Sequence, residues 1–226
     1  MSMSIGEKIR SITKGLPEGV RLVAVSKYHP EEAIMEAYEA GQRVFGESHV
    51  QELQRKHEVL PKDIEWHFIG HLQTNKVKYI APYVALIHAV DTPKLLAEIS
   101  KQGQKCGRRI PCLLQLHVAQ EETKFGFSIE EAEEFLRSNE WRKMTGAEIR
   151  GIMCMASLTE DEAQIAREFE TAHDFFLRAR DTYYNIAGEK NTFCECSWGM
   201  SDDYPIALQH GSTMVRIGSL IFGARQ

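Results

Sequence analysis

The chain has 226 residues, of which 43% are hydrophobic and 26% charged, with a formal net charge of -5. That length holds one large domain, that composition belongs to a globular rather than a disordered chain, and the acidic balance excludes a protein built mainly to grip nucleic acid. The apolar runs are too short for a membrane span, which takes about 20 residues.

In chain order, the opening MSMSIGEKIRSITKG predicts a short amphipathic helix without the apolar centre of a signal peptide. A first strand is predicted over 21–27, followed by a helix that Pro30 opens and Gly41 closes. Residues 44–46 form a second strand leading into a helix over 48–59, and 66–70 a third with a short helix over 74–80 behind it. A fourth strand covers 85–90, after which Thr92 and Pro93 open a helix. The fifth covers 112–118, and Ser128 with Glu131 makes a capping box for the helix that follows. The sixth covers 150–155. Thr159 and Glu162 predict a second capping box, ahead of a long helix with Ala166, Phe169, Ala172, Phe176, Ala179 and Tyr183 on one stripe. The seventh strand is 193–197, a helix runs from 202 to 209, and 215–222 is the eighth.

Strands that alternate with helices eight times over predict an α/β fold, a single (β/α)8 TIM-type barrel over residues 1–226 with an extra N-terminal helix. The doubly wound alternative usually carries a Gly-rich phosphate loop after its first strand, and neither G-x-G-x-x-G nor G-x-x-x-x-G-K-[ST] occurs. Five cysteines, at 106, 112, 154, 194 and 196, are an odd number set mostly in apolar runs. They predict reduced, buried thiols in a cytoplasmic protein. Cys194 and Cys196 would share one strand face, and no further ligands stand at metal-site spacing.

In such barrels functional groups gather at the C-terminal ends of the strands. By the period of two, Val23, Val25 and Lys27 share a face, so if the valines fill the interior Lys27 points inward at its mouth. A partly desolvated amine there is a nucleophile toward a carbonyl, although a strand-end lysine reaching for solvent fits the same position. At the other end of the chain, Gly218 lets backbone approach an anion closely, and Ser219 adds a hydroxyl beside its amides. Ser197, at the end of strand seven, is a second hydroxyl donor, and each serine taken alone also fits a turn. Arg216 falls on the opposite face from Ser219 and points into the barrel. Barrel closure makes strand one a neighbour of strand eight, so an amine and an anion cradle face one ligand, a phosphorylated aldehyde. His67 and His71 lie on a strand and beyond Gly70, where helical H-x-x-x-H geometry does not apply, and His67 reads as a barrel-interior group. Asp202 and Asp203 suit the first turn of a helix, as do the acidic runs near 130–134 and 160–162.

The segments VAVSK (23–27), FGESHVQE (45–52), WHFIGHLQTNK (66–76), EETKFGF (121–127), RGIMCM (150–155) and GMSDDYPIALQHGSTMVRIGSLIFGAR (199–225) resemble the YggS/PROSC family of pyridoxal phosphate homeostasis proteins over nearly the whole chain. The resemblance implies PLP fold type III, a barrel like the N-terminal domain of alanine racemase without its second, β-rich domain. It implies that Lys27 forms the internal aldimine with pyridoxal 5'-phosphate, that Ser197, Gly218 and Ser219 hold the phosphate, and that Arg216 faces the pyridine nitrogen. An arginine keeps its proton, so the ring nitrogen stays neutral and the ring is a poorer electron sink. The family usually reads F-G-E-N where this chain has FGES, which leaves Ser48 outside the expected site. The expected function is vitamin B6 homeostasis: a monomer that stores the cofactor and releases it to apo PLP-dependent enzymes, with no metal and no catalytic residues. Racemization needs a base on each face of the alpha carbon, and the racemase draws one from the missing domain and partner subunit. Two alternatives stand: a PLP-dependent racemase or decarboxylase of low activity using Lys27 as its single base, and a cofactor-free lyase using Lys27 toward a sugar phosphate.

Overall fold

The computed structural model describes residues 3–120, 125–185 and 191–223. Of the family-like segments, EETKFGF therefore lies partly outside the described residues, as does the end of the last one. The strands are β1 (Arg21–Val25), β2 (Val44–Glu47), β3 (Glu65–Phe68), β4 (Leu86–Val90), β5 (Ile110–Gln115), β6 (Ala147–Met153), β7 (Glu195–Ser197) and β8 (Met214–Ile217). All pair in parallel and in sequence order, and β8 returns to β1 with Val23 opposite Arg216, closing the barrel.

Four of the helices described start where a side chain takes an orphan amide. In α1 (Ile5–Gly15) Ser4 and Glu7 form a capping box, and in α6 (Ile129–Ser138) Ser128 and Glu131 form the expected one. Thr92 caps α5 (Pro93–Lys105) through the amide of Leu95. Between these run α2 (Glu31–Glu39), α3 (Val50–Val59) and the single turn α4 (Val77–Ile80). The expected Thr159–Glu162 box is corrected. The helix α7 (Glu162–Ala179) begins at Glu162, so Asp161 is its cap and accepts the Gln164 amide at 3.1 Å, while Thr159 Oγ1 accepts the Asp161 amide. The chain closes with α8 (Tyr204–Gln209) and α9 (Ser219–Phe222).

Two strands begin earlier than expected. Pro111 reads as a strand breaker but is tolerated at the second residue of β5, and Glu148 reads as solvent-facing but is buried in β6 against Arg150 at 2.6 Å. The eighth strand is shorter than expected: it ends at Ile217, and Ser219 opens a turn of helix instead of continuing it. Cys112, Cys154 and Cys196 are buried and reduced as expected, but Cys106 and Cys194 are exposed. Cys194 precedes β7 rather than lying on it.

The apolar residues divide by strand parity. Val23, Leu86, Ala89, Leu113, Met153 and Met214 form a small cluster inside the barrel. Their neighbours in sequence, such as Leu22, Ala24, Ile87 and Leu114, join the larger core between barrel and helices, to which α7 contributes Phe169, Phe175 and Phe176. The small cluster does not fill the interior; the rest of that volume is polar. Among the described residues no helix is long and apolar enough to cross a membrane.

Candidate functional site at the C-terminal mouth of the barrel

A cavity of about 310 Å³ opens at the C-terminal ends of the strands, where Lys27, Ser48, Ser201, Arg216, Gly218 and Ser219 meet. That size suits a small ligand. Val25 lines it too, while Val23 lies deeper in the interior cluster, so the side shared by Val23, Val25 and Lys27 does lead to the mouth. Lys27 itself stands two residues past the end of β1, in a turn closed by the His29 amide donating to Ser26 O at 3.1 Å.

Across the cavity, Arg216 of β8 is 4% exposed and points into the barrel. Its Nη1 donates to Ser197 O at 2.7 Å and to Ser197 Oγ at 2.6 Å, and its Nη2 donates to Cys154 O at 3.0 Å. These bonds take three of the guanidinium's five N–H groups and leave two for a ligand at the cavity wall. Because arginine only donates, Ser197 Oγ accepts from it, and the same hydroxyl is hydrogen-bonded to His88 Nδ1 at 2.9 Å. His88 Nε2 is hydrogen-bonded to His67 Nδ1 at 2.9 Å, so the four side chains form a string that crosses the interior. Burial pushes His67 down to about 3 and His88 well below the ordinary histidine range, so both imidazoles are neutral. Burial also pushes Arg216 below the ordinary arginine range, but a guanidinium keeps its proton.

The anion side is built from loops. Gly218 N–H donates to Ser201 Oγ at 3.4 Å, and Ser219 starts the single turn α9, in which the Ile221 and Phe222 amides donate to Gly218 O at 2.9 Å. A Cβ at Gly218 would stand 3.2 Å from Val25 O and 3.3 Å from Val25 Cβ, so only glycine brings this backbone so close to β1. A Cβ at Gly70 would lie 2.5 Å from Ser48 O, and the missing side chain there lets the Ser48 loop pack at the rim.

Four of the five residues expected to bind the ligand, Lys27, Arg216, Gly218 and Ser219, line this cavity, and Ser197 does not. Ser197 has no exposure, and its hydroxyl is held between Arg216 and His88. Its place in the lining belongs to Ser201, four residues further into the loop after β7. The sequence did hold a pointer to Ser201: phosphate sites of barrels lie in the loops after strands seven and eight, not in the strands. Ser48, set aside on the sequence, is in the lining. Asp202 lines the cavity as well, while Asp203 is buried just before α8 and accepts the Met200 amide at 2.6 Å. His71 pairs with Asp91 at 2.9 Å and stacks on Phe125, apart from His67. Among the described residues no group of three or more His, Cys, Asp or Glu could hold a metal ion.

The family model for the N-terminal domain of alanine racemase matches residues 3–226. A pyridoxal phosphate homeostasis protein of Aquifex aeolicus is 36% identical over 208 residues, covering 91% of this chain and 87% of that one. Its counterpart from Escherichia coli K12 is 35% identical over 216 residues, with 92% and 87% covered. Among solved structures, PipY of Synechococcus elongatus superposes with a TM-score of 0.89 at 34% identity, covering 97% of this chain and all of that one. The same protein with PLP bound gives 0.86 at 33% identity. Alanine racemase of Bartonella henselae shares the fold at a TM-score of 0.74 and 16% identity, and this chain covers 58% of it.

Proposed function

Since this chain belongs to the family of pyridoxal phosphate homeostasis proteins, we propose that it holds pyridoxal 5'-phosphate in the cavity at the barrel mouth and takes part in vitamin B6 homeostasis without chemistry of its own. The observation that carries this reading is the convergence of one lysine, one arginine and a glycine–serine backbone on a single small cavity. When bound, the cofactor supplies an electrophilic aldehyde and an anionic phosphate. The residues fit both. Lys27 brings a primary amine to the aldehyde as the point of covalent attachment. Ser201 and Ser219 bring hydroxyls, and the start of α9 brings amides, to the phosphate. Arg216 offers its remaining N–H groups to the ring nitrogen, and its fixed proton keeps that nitrogen neutral.

A neutral ring nitrogen weakens the electron sink on which carbanion chemistry depends, which favours storage over turnover. On this reading the protein works as a cytoplasmic monomer and surrenders the cofactor to apo-enzymes. The test is an absorbance titration with pyridoxal phosphate, in parallel on Lys27→Ala, followed by borohydride reduction and peptide mass spectrometry. A saturable band with the adduct on Lys27, lost in the variant, is expected; an adduct elsewhere, or none, overturns the assignment. The absence of turnover is tested separately, by exchange of amino-acid alpha protons into deuterated water. Steady exchange above the Lys27→Ala background would make the protein an enzyme.

A further inference from the structure

Behind the Lys27 turn lies a charged cluster whose side chains bond the backbone on both sides of Lys27. Lys56 of α3 has no exposure, yet its Nζ donates to Ser26 O at 2.8 Å, to Glu47 Oε1 at 2.8 Å and to Glu52 Oε1 at 2.7 Å. The ammonium has three N–H groups, and these three bonds use them all. Glu47, at the end of β2, is equally buried, and its Oε1 also accepts from Ser26 Oγ at 2.6 Å. Glu52 Oε1 accepts the backbone N–H of Tyr28 at 2.7 Å. Lys56 therefore reaches the turn twice, directly at Ser26 and through Glu52 at Tyr28. Those are the two residues that flank Lys27.

The turn needs holding. Tyr28 sits at φ 67, the third position of a turn that normally takes glycine or asparagine there. A bulky residue in the left-handed region persists only where its surroundings over-determine it. The cluster is not explained by stability, because a buried ion pair is often no better than apolar side chains of the same volume. Burial pushes Glu47 up to about 7 against the pull of Lys56, and its Oε2 has no partner among the described residues. What the arrangement does achieve is a fixed path for the backbone on both sides of Lys27.

We propose that Lys56 is a positioning residue for Lys27: by bonding Ser26 O and by holding Glu52 against the Tyr28 amide, it locks the left-handed turn and aims the Lys27 amine into the cavity. This rests on the reading of Lys27 as the point of attachment. Lys56 touches no ligand, and its effect falls on the aldehyde end of the ligand and not on the phosphate end.

Two ligands separate those ends: pyridoxal phosphate, and pyridoxine 5'-phosphate, which carries an alcohol in place of the aldehyde. Each is titrated into the wild type, Lys56→Met, Glu52→Ala, Glu52→Gln and the double variant Lys56→Met/Tyr28→Gly. Lys56→Met and Glu52→Ala weaken capture of the aldehyde about tenfold, the worth of one hydrogen bond to a charged acceptor, and leave the alcohol's affinity within about twofold. Glu52→Gln keeps an oxygen for the Tyr28 amide and captures as the wild type does. Tyr28→Gly restores capture in the Lys56→Met background, because glycine adopts the left-handed region unaided. Equal weakening of both ligands in Glu52→Ala, or no weakening in either variant, overturns the proposal. If Lys56→Met does not fold, Glu52→Ala decides with the same two ligands. A wild type that takes up neither ligand overturns the binding reading and this one with it, whereas wild-type capture with unchanged variants overturns the positioning role alone.

Discussion

Two buried cations stand near the cavity, and they are held in opposite ways. Lys56 is wrapped by two carboxylates, which cancel its charge. Arg216 is held by two carbonyls, a hydroxyl and, beyond them, two neutral imidazoles, and no carboxylate among the described residues forms an ion pair with it. Dipoles solvate a charge without neutralising it, and Asp203 acts on Arg216 without a direct ion pair, so less of its charge is cancelled than that of Lys56. On the proposed readings, the cation paired with acids holds backbone and the one held by neutral acceptors meets a ligand.

The contrast is sharpest in stability. Arg216→Leu strips the donor from three buried acceptors, each worth about 1–3 kcal/mol when orphaned, so unfolding in urea at neutral pH should come about 3 kcal/mol or more sooner. Lys56→Met loses less, because Glu47, already pushed up to about 7, takes a proton and removes the uncompensated charge. A Lys56→Met variant less stable than Arg216→Leu would break the comparison.

The two regions also titrate in opposite senses. His67 and His88 have folded pKa values below their ordinary 6.5, so the stability they contribute is present above pH 6.5 and is lost as pH falls toward the folded values. Glu47 has a folded pKa raised from 4.5 to about 7, so its contribution is present below pH 4.5 and is lost as pH rises through about 7. Between these limits each group shifts stability by up to about 1.4 kcal/mol per pH unit. Two histidines against one glutamate leave a net loss of about 1.4 kcal/mol per unit on acidification, read from urea midpoints. Replacing both rings (His67→Phe with His88→Leu) should make that loss on acidification smaller, His29, His57 and His173 being lowered by burial as well. An unchanged slope would mean that the string does not titrate as its burial requires.

The fold was legible in the sequence because each strand is a separate apolar run and several helices carry a cap in the letters, as Ser128 and Glu131 do. Boundaries were less so where a residue's letter misstates its surroundings, as Pro111 and Glu148 do. Within the site, parity placed Val23, Val25 and Lys27 on one side, and the glycine–serine pair of the last unit falls in the same cavity. What parity could not show was the interior string, because His67, His88, Ser197 and Arg216 lie on four different strands and become neighbours only on closure. The Lys56 cluster was hidden for a similar reason. Glu52 and Lys56 read as an ordinary i,i+4 surface pair on a helix, and only the packing of α3 against β2 removes them from water.

The smallest effects separate the two serines. Ser197 was the sequence's choice for the phosphate, and Ser201 is the one at the cavity. Ser197→Ala deprives His88 Nδ1 of its hydrogen-bond partner and Arg216 of one of three acceptors, so about 1–3 kcal/mol of stability goes. Its effect on phosphate affinity is slight, because the two carbonyls still anchor the guanidinium. Ser201→Ala has the reverse profile. Its bond to the Gly218 amide is long, at 3.4 Å, so the melting temperature hardly moves. A phosphate in the cradle, however, loses a hydroxyl and binds up to about tenfold more weakly. Thermal melts and competition by inorganic phosphate on the two variants measure both properties. Weakened phosphate binding in Ser197→Ala with Ser201→Ala unaffected would return the anion to the end of β7. It would also make Arg216 a phosphate ligand and not the partner of a ring nitrogen.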